Sequence, residues 1–143
     1  MNITFALFAD AANLSQEGKL NILGVFDAVQ VGAVPAVHPR AHLVVRLKGH
    51  PEDVGSHRVT LSWLNPEGTE LWSTVGELNI EAPPTGVTEM DFPLIASVDL
   101  PIDRPGGFTM RIVLDDDAIA EVPLRVRAGM QNPMRPPLGG MVS

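Results

Sequence analysis

Apolar and polar residues alternate along several short segments of this chain, and that alternation limits the folds open to it. The clearest examples are residues 41–48 and 108–114. A period of two puts successive side chains on opposite faces, as a half-buried β-strand requires. No segment of helical length shows the period of about 3.6 residues that an amphipathic helix needs. The chain is therefore expected to fold as β-sheet.

Glycine and proline, 13 of each, lie mainly between the apolar runs. We predict eight strands, near residues 2–9, 19–29, 41–48, 56–64, 69–80, 88–99, 107–114 and 119–127, with long loops at 32–40 and 82–87. Short strands separated by turn residues every 8–12 positions or so are typical of a sandwich or barrel. The predicted fold class is all-β, a two-sheet antiparallel β-sandwich of about eight strands with Ig-like or C2-like architecture.

Two turns carry predictions about strand register. Asn65-Pro66-Glu67-Gly68 fits a type I turn, and joining 64 to 69 puts Leu61 opposite Trp72 with Trp63 as diagonal neighbour. Asp115–Asp117 is expected to close the last hairpin. That hairpin directs one set of side chains inward (Phe108, Met110, Ile112, Leu114, Ala120, Val122, Leu124 and Val126) and another outward (Arg111, Glu121, Arg125 and Arg127).

Length and composition narrow the class of protein. The 143 residues suffice for one domain, which we assign to residues 1–128, followed by a Gly/Pro/Met-rich tail at 129–143. The absence of cysteine excludes disulfides and thiolate metal sites. A net charge of −7 without a basic stripe argues against nucleic-acid and membrane partners. Without a good signal peptide, the chain is expected to be soluble and cytoplasmic.

The histidines and clustered aspartates are the candidate metal ligands. Four histidines occur, at His38, His42, His50 and His57. On a helix, His38 and His42 would lie on the same face, but Pro39 between them indicates a loop followed by a strand. Exposed or hydrogen-bonded histidines are therefore the favoured interpretation. Loop carboxylates at Asp115, Asp116 and Asp117 could bind calcium, although a solvated turn explains them better.

Catalytic and cofactor motifs are missing from the sequence. No serine has a G-x-S-x-G context, and Ser56 and His57 are expected on opposite faces of a strand. We therefore predict no catalytic residue and no cofactor.

One segment suggests a partner. Met130, Met134, Leu138 and Met141 give the C-terminal tail an adaptable apolar character that suits contact with a protein partner or another copy.

Part of the sequence resembles a known family. The residues that carry the likeness are Phe8-Ala9-Asp10-Ala11-Ala12-Asn13, the run 18–27 that includes Gly18-Lys19-Leu20 and Gly24-Val25-Phe26-Asp27, His38-Pro39, and Leu43-Val44-Val45-Arg46-Leu47. They are similar to an uncharacterised family of small bacterial all-β proteins, catalogued as a domain of unknown function. The resemblance implies an all-β domain and brings no activity, cofactor or catalytic residue.

Three functional hypotheses remain. The leading one is a non-enzymatic protein-interaction or assembly module, since exposed sheet edges are templates for pairing. The alternative is a ligand-binding sandwich that uses loop carboxylates and an exposed tryptophan to bind calcium or a carbohydrate. A metal-dependent hydrolase is the third and least favoured hypothesis. Fold class alone does not decide among them.

Overall fold

The computed structural model of the chain describes residues 1–129. In this part of the chain there are nine strands and one short 3₁₀ helix, at Pro51–Asp53. The strands are β1 (Asn2–Leu14), β2 (Leu20–Phe26), β3 (Ala28–Val31), β4 (Ala36–Gly49), β5 (Gly55–Leu64), β6 (Glu70–Ile80), β7 (Met90–Ile102), β8 (Gly106–Leu114) and β9 (Ala118–Ala128). They form a four-stranded sheet, in the order β2-β1-β4-β7, and a five-stranded sheet, in the order β3-β9-β8-β5-β6. The predicted β-sandwich is confirmed.

The predicted strand at 19–29 is in fact two strands that belong to different sheets. Phe26 ends β2 on the inner side of the first sheet, where its ring stacks on Phe8 with centroids 5.9 Å apart. The chain then bends at Asp27 and continues as β3, which pairs in parallel with β9 in the second sheet. That pair is the exception to the predicted antiparallel arrangement. Apolar alternation runs through the crossing, so the sequence pattern does not reveal the change of sheet.

The predicted loop at 32–40 is also shorter than expected, because β4 begins at Ala36. Its pairing with β7 shifts between His38 and Ala41, and Arg40 within the shift has a φ of +53°. The Asp99 side chain accepts the Arg40 backbone N–H at 2.9 Å, which satisfies a group that the irregularity leaves out of the ladder. The predicted loop at 82–87 is confirmed as residues outside any strand.

The core lies between the two sheets. The predicted inward set of β8 and β9 is confirmed, since Phe108, Met110, Ile112, Leu124 and their neighbours are buried while Arg111, Glu121, Arg125 and Arg127 are exposed. Against them the first sheet packs its own buried side chains, Phe8, Leu43, Val45 and Leu47. Removing this apolar area from water supplies the main driving force for folding.

Trp63 and Trp72 are directly opposite one another on β5 and β6. The prediction that Leu61 faces Trp72 is wrong by two residues. Leu64 pairs with Glu70 and not with residue 69, and the register shifts by one more residue between Trp63 and Leu64. The type I turn itself is confirmed: the Gly68 N–H donates to the Asn65 carbonyl at 2.8 Å.

Both indoles reach across the sandwich to the backbone of β7. The Trp63 Nε1–H donates to the Pro101 carbonyl at 2.8 Å, and the Trp72 Nε1–H donates to the Asp99 carbonyl at 3.1 Å. Trp63 is fully buried, with its ring stacked on Phe108 at 5.2 Å and edge-on to Phe8 at 6.1 Å. A buried tryptophan whose N–H finds a partner contributes both area and orientation.

Truncation of Trp63 is expected to destabilise the fold strongly. Trp63→Ala should lower the free energy of unfolding by about 3–5 kcal/mol, because it leaves a cavity between the sheets and removes the hydrogen bond to the partly buried Pro101 carbonyl. Urea unfolding followed by circular dichroism measures the change. Trp72→Ala is the matched control, since it removes the same ring and the same kind of hydrogen bond at a partly exposed position. Equal losses in the two variants would contradict this account of the core.

Candidate functional site

His57 and Asp115, two of the predicted candidate ligands, lie together where β5 begins and β8 ends. The His57 Nδ1–H donates to Asp115 Oδ2, and the His57 Nε2–H donates to the Asp53 carbonyl. The second Asp115 oxygen accepts the Arg58 backbone N–H at 2.7 Å. In return the Asp115 N–H donates to the Arg58 carbonyl at 2.8 Å, which fastens the β8–β9 turn to β5.

The charge state of this pair follows from its geometry. Neither a carboxylate nor a carbonyl can donate, so both nitrogens of the His57 ring must carry a proton. The Asp115 hydrogen bond, helped by the Asp53 carbonyl, raises the pKa of His57 above its ordinary value, and partial burial opposes the shift only in part. The His57 hydrogen bond, followed by that from the Arg58 N–H, lowers the pKa of Asp115. Both shifts favour the form of the pair in which His57 is an imidazolium and Asp115 a carboxylate.

A shallow cavity of about 320 Å³ opens beside the pair, lined by Ser56, His57, Arg58, Glu77, Asp115 and Asp116. Both nitrogens of His57 are occupied as donors, so in this arrangement the ring has no lone pair for a metal or for accepting a proton from substrate. The arrangement instead holds three segments of backbone together. We interpret it as a structural clamp.

The other three histidines are not brought to this place. The His38 ring packs on Phe26 with centroids 5.4 Å apart, and His50 Nδ1 meets the Thr88 carbonyl at 3.1 Å. His42 lies on β4 between Ala9 and Ser97, with its Nδ1 buried and without a partner among the described residues.

The triple aspartate forms the predicted turn. Asp115 and Asp116 have φ values of +54° and +59°, and the Asp117 N–H donates to the Leu114 carbonyl at 3.0 Å. Both oxygens of Asp115 are already engaged with His57 and Arg58. Within residues 1–129, no group of three or more His, Cys, Asp or Glu side chains is arranged to hold a metal ion. The predicted tail contacts Met130, Met134, Leu138 and Met141 lie outside the described residues, so the tail and its boundary stay predictions.

The outer edge of β2 is a second candidate, and the sequence analysis did not single it out. In the part of the chain that the structure describes, β2 pairs with β1 alone. The Ser15 N–H donates to the Lys19 carbonyl at 2.9 Å, which sets the alternation of the hairpin ladder. Along an antiparallel pair, residues that are hydrogen-bonded to the partner strand alternate with residues that are not. Leu20, Ile22 and Gly24 are of the second kind, so their backbone N–H and C=O groups point away from β1. These groups are available to another strand.

The other edge strands carry features that discourage pairing. Over Leu20–Phe26, β2 contains neither a charged residue nor a proline. In contrast, β6 carries Glu70 and Glu77, and β7 carries two aspartates and two prolines (Asp91, Asp99, Pro93 and Pro101). The remaining edge strand, β3, has only four residues. Charge, proline and short length are the usual protections of a sheet edge, and β2 lacks all three.

Exposed apolar side chains lie along the same strand. Leu23 is 72% exposed and Val25 is 61% exposed. Both belong to the outer face of the first sheet, because Val25 pairs with Ala9 and Leu23 with Ala11, one residue out of phase with the core residues Phe8 and Phe26. The sequence signal that could have found this surface is the uncharged run 20–26, which contrasts with the charged edge strands.

Gly24 shapes the middle of this strand. Its φ is +72°, and a Cβ added there would stand 2.4 Å from the Asp10 carboxylate. Glycine therefore lets the Asp10 side chain approach β2 closely, and its positive φ would strain any other residue. The Asp10 carboxylate consequently lies against the middle of β2.

The hairpin tip lies over the same outer face. Gly18, Lys19 and Leu20 line a cavity of about 340 Å³ together with Arg46, Asp91 and Pro93, which belong to the outer face of β4 and β7. The Arg46 guanidinium pairs with Asp91 at 3.1 Å in its wall. Val44 and Ala9 are fully buried although they face outward. Apolar packing thus continues on the outside of the first sheet and ends at Leu23 and Val25.

The clamp makes stability depend on pH. Because the pKa of His57 is raised in the folded state, its contribution to the free energy of unfolding is fully present below the pKa of the unfolded state. That contribution is lost as the pH rises through the folded-state pKa. Because the pKa of Asp115 is lowered in the folded state, its contribution to the free energy of unfolding is lost as the pH falls through that folded-state pKa. We expect the melting temperature of the wild type to fall as the pH rises above the ordinary pKa of a histidine, about 6.5, and His57→Gln to lose much of that fall.

Thermal unfolding at a series of pH values measures this dependence. His50→Gln is the matched control, because it removes a neighbouring imidazole whose Nδ1 is hydrogen-bonded to the Thr88 carbonyl and which does not contact Asp115. An unchanged profile in His57→Gln, or the same change in both variants, would show that the pair does not act as a clamp.

The chain is similar to a known family. The sequence model of a family of unknown function, DUF6941, matches residues 4–127. No curated protein matches the chain. Among residues 1–129, no helix has the length and apolar character needed to cross a membrane.

Proposed function

We propose that this chain, which belongs to the family of unknown function DUF6941, is a non-enzymatic assembly module that pairs with a second copy of itself through β2. The observation that carries the proposal is the uncharged, proline-free edge of β2, which exposes backbone groups and apolar side chains together. Addition of a strand at such an edge gives affinity through main-chain hydrogen bonds and specificity through alternate side chains.

Several features favour a second copy as the partner. A closed dimer uses the same surface on both subunits, and two β2 strands can run antiparallel about a twofold axis. The whole chain carries a net charge of −7, which makes two copies repel one another over most of their surface. The β2 edge has no charge of its own, so repulsion is weakest where the strands would meet.

The same pairing covers exposed apolar surface. Leu23 and Val25 share a face, so the two copies of each would come together across the new strand pair. The resulting sheet would contain eight strands, four from each copy. A cytoplasmic location is part of this proposal, and the absence of cysteine supports it.

The alternative hypotheses receive less support from the geometry. Calcium binding by the turn 115–117 would compete with the bonds from Asp115 to His57 and Arg58. Carbohydrate stacking on the tryptophans would have to use rings whose N–H groups are bound to Pro101 and Asp99. A metal-dependent hydrolase would need His57 to release one of its two bonds.

Charge placed on the β2 edge is expected to prevent assembly. The double variant Leu23→Lys, Val25→Lys should be monomeric, while the wild type should be a dimer whose population rises with concentration. Analytical ultracentrifugation over a range of concentrations measures the distribution. Circular dichroism should show an unchanged fold, because both side chains are exposed.

Val75→Lys is the matched control for this experiment. Val75 is 62% exposed on β6, an edge strand of the other sheet that already carries glutamates. It should leave the dimer intact. A wild type that stays monomeric at every concentration, or a dimer that Val75→Lys disrupts as much as the double variant, would overturn the proposal.

A further inference from the structure

We propose that the outer face of the second sheet binds a small phosphate monoester between Arg125 and Arg127. These arginines are two residues apart on β9, and both are exposed on the side opposite the buried Leu124 and Val126. They line a cavity of about 440 Å³ together with Asp27, Ala28, Gly107, Pro123 and Leu124. This site is independent of the β2 edge.

The pairing of the strands explains why a cavity exists there. Arg125 lies between Ala28 on β3 and Gly107 on β8, so the smallest side chains flank the arginine on both sides. At Gly107, no heavy atom stands within 4 Å of the place a Cβ would occupy. The row Ala28–Arg125–Gly107 therefore forms a trough, with the Arg125 side chain rising from its floor.

The two guanidinium groups lack acidic partners. Three other arginines are paired: Arg46 with Asp91, Arg104 with Asp103 and Glu67, and Arg111 with Glu121. Arg40 and Arg58 form no ion pair within residues 1–129, but they do not line this cavity. Within residues 1–129, neither Arg125 nor Arg127 has a carboxylate within ion-pair distance, although the sequence holds 17 acidic residues against 10 basic ones. Residues 130–143 contain no aspartate or glutamate. What distinguishes Arg125 and Arg127 is that two unpaired arginines line the same cavity.

The lining groups define the ligand. Arginine presents a planar fork of donors that matches the oxygens of phosphate, and two guanidinium groups balance a dianion. Asp27 stands at the rim, where its backbone carbonyl accepts the Arg125 N–H at 2.9 Å. Its carboxylate would repel a bare anion but can accept a hydrogen bond from a hydroxyl or an ammonium group. A phosphate monoester that carries such a group fits this combination.

The test is a titration of the ¹⁵N-labelled full chain with O-phosphoethanolamine and, separately, with inorganic phosphate, at constant ionic strength. O-phosphoethanolamine should bind saturably and shift the amide resonances of Ala28 and Gly107, with inorganic phosphate weaker. The double variant Arg125→Gln, Arg127→Gln should weaken binding by about tenfold or more. Asp27→Asn should remove the preference for O-phosphoethanolamine over phosphate.

Arg111→Gln is the matched control, since Arg111 lies on the same outer face but is paired with Glu121. It should bind like the wild type, as should the Leu23→Lys, Val25→Lys variant. Loss of binding in Arg111→Gln to the same extent, or binding that survives the double arginine change, would overturn the site. Equal, unsaturated shifts with sulfate would mean an adventitious ion only and would overturn it as well.

Discussion

The contact between Trp63 and the backbone of β7 joins the two sheets, and much of the remaining structure depends on it. The indole comes from the five-stranded sheet, donates to the Pro101 carbonyl in the four-stranded sheet, and lies between Phe8 and Phe108. Trp72 repeats the same connection two residues along β7, at Asp99. Because β7 is an edge strand, these bonds hold an edge of the first sheet against the second. Asp99 then positions Arg40 and the irregular start of β4.

The two sheets of this sandwich have four edge strands, and the features that oppose further strand pairing differ among them. Glutamates on β6 and prolines on β7 oppose further pairing, and β3 is short. Only β2 combines length, neutrality and exposed backbone groups among the strands described. The chain leaves the first sheet at Asp27, and when it returns as β4 and β7 it adds strands on the other side of β1, so within residues 1–129 β2 keeps a free edge. The same crossing places β3 beside β9 and so builds the trough around Arg125. One bend thus accounts for both candidate surfaces.

Local features were predictable from the sequence, and features set by distant contacts were not. The buried face of Phe108–Leu114 followed from alternation, since both strands of that hairpin meet through a turn of three aspartates. The register of Trp63 did not, because Leu64 pairs with Glu70 and not with residue 69, and an irregularity beside Leu64 adds one more residue to the β6 strand. His57 and Asp115 were both candidates, but they are 58 residues apart, and only the β5–β8 pairing brings them together. The change of sheet at Asp27 does not interrupt the apolar pattern, so that pattern could not predict it.

The polar groups divide into those that the fold uses and those that it leaves free, and this division directs the search for function. His57, Asp115, Asn65 and Asp103 resemble site residues by type, yet each is committed to holding one loop against another. Perturbed pKa values at His57 and Asp115 have the same structural origin, so they do not by themselves indicate catalysis. Among the uncommitted groups of residues 1–129 are the backbone of β2 and the guanidinium groups of Arg125 and Arg127, which line one cavity. Both are suited to recognition, because a free strand edge offers main-chain hydrogen bonds and an unpaired arginine offers a fork of donors.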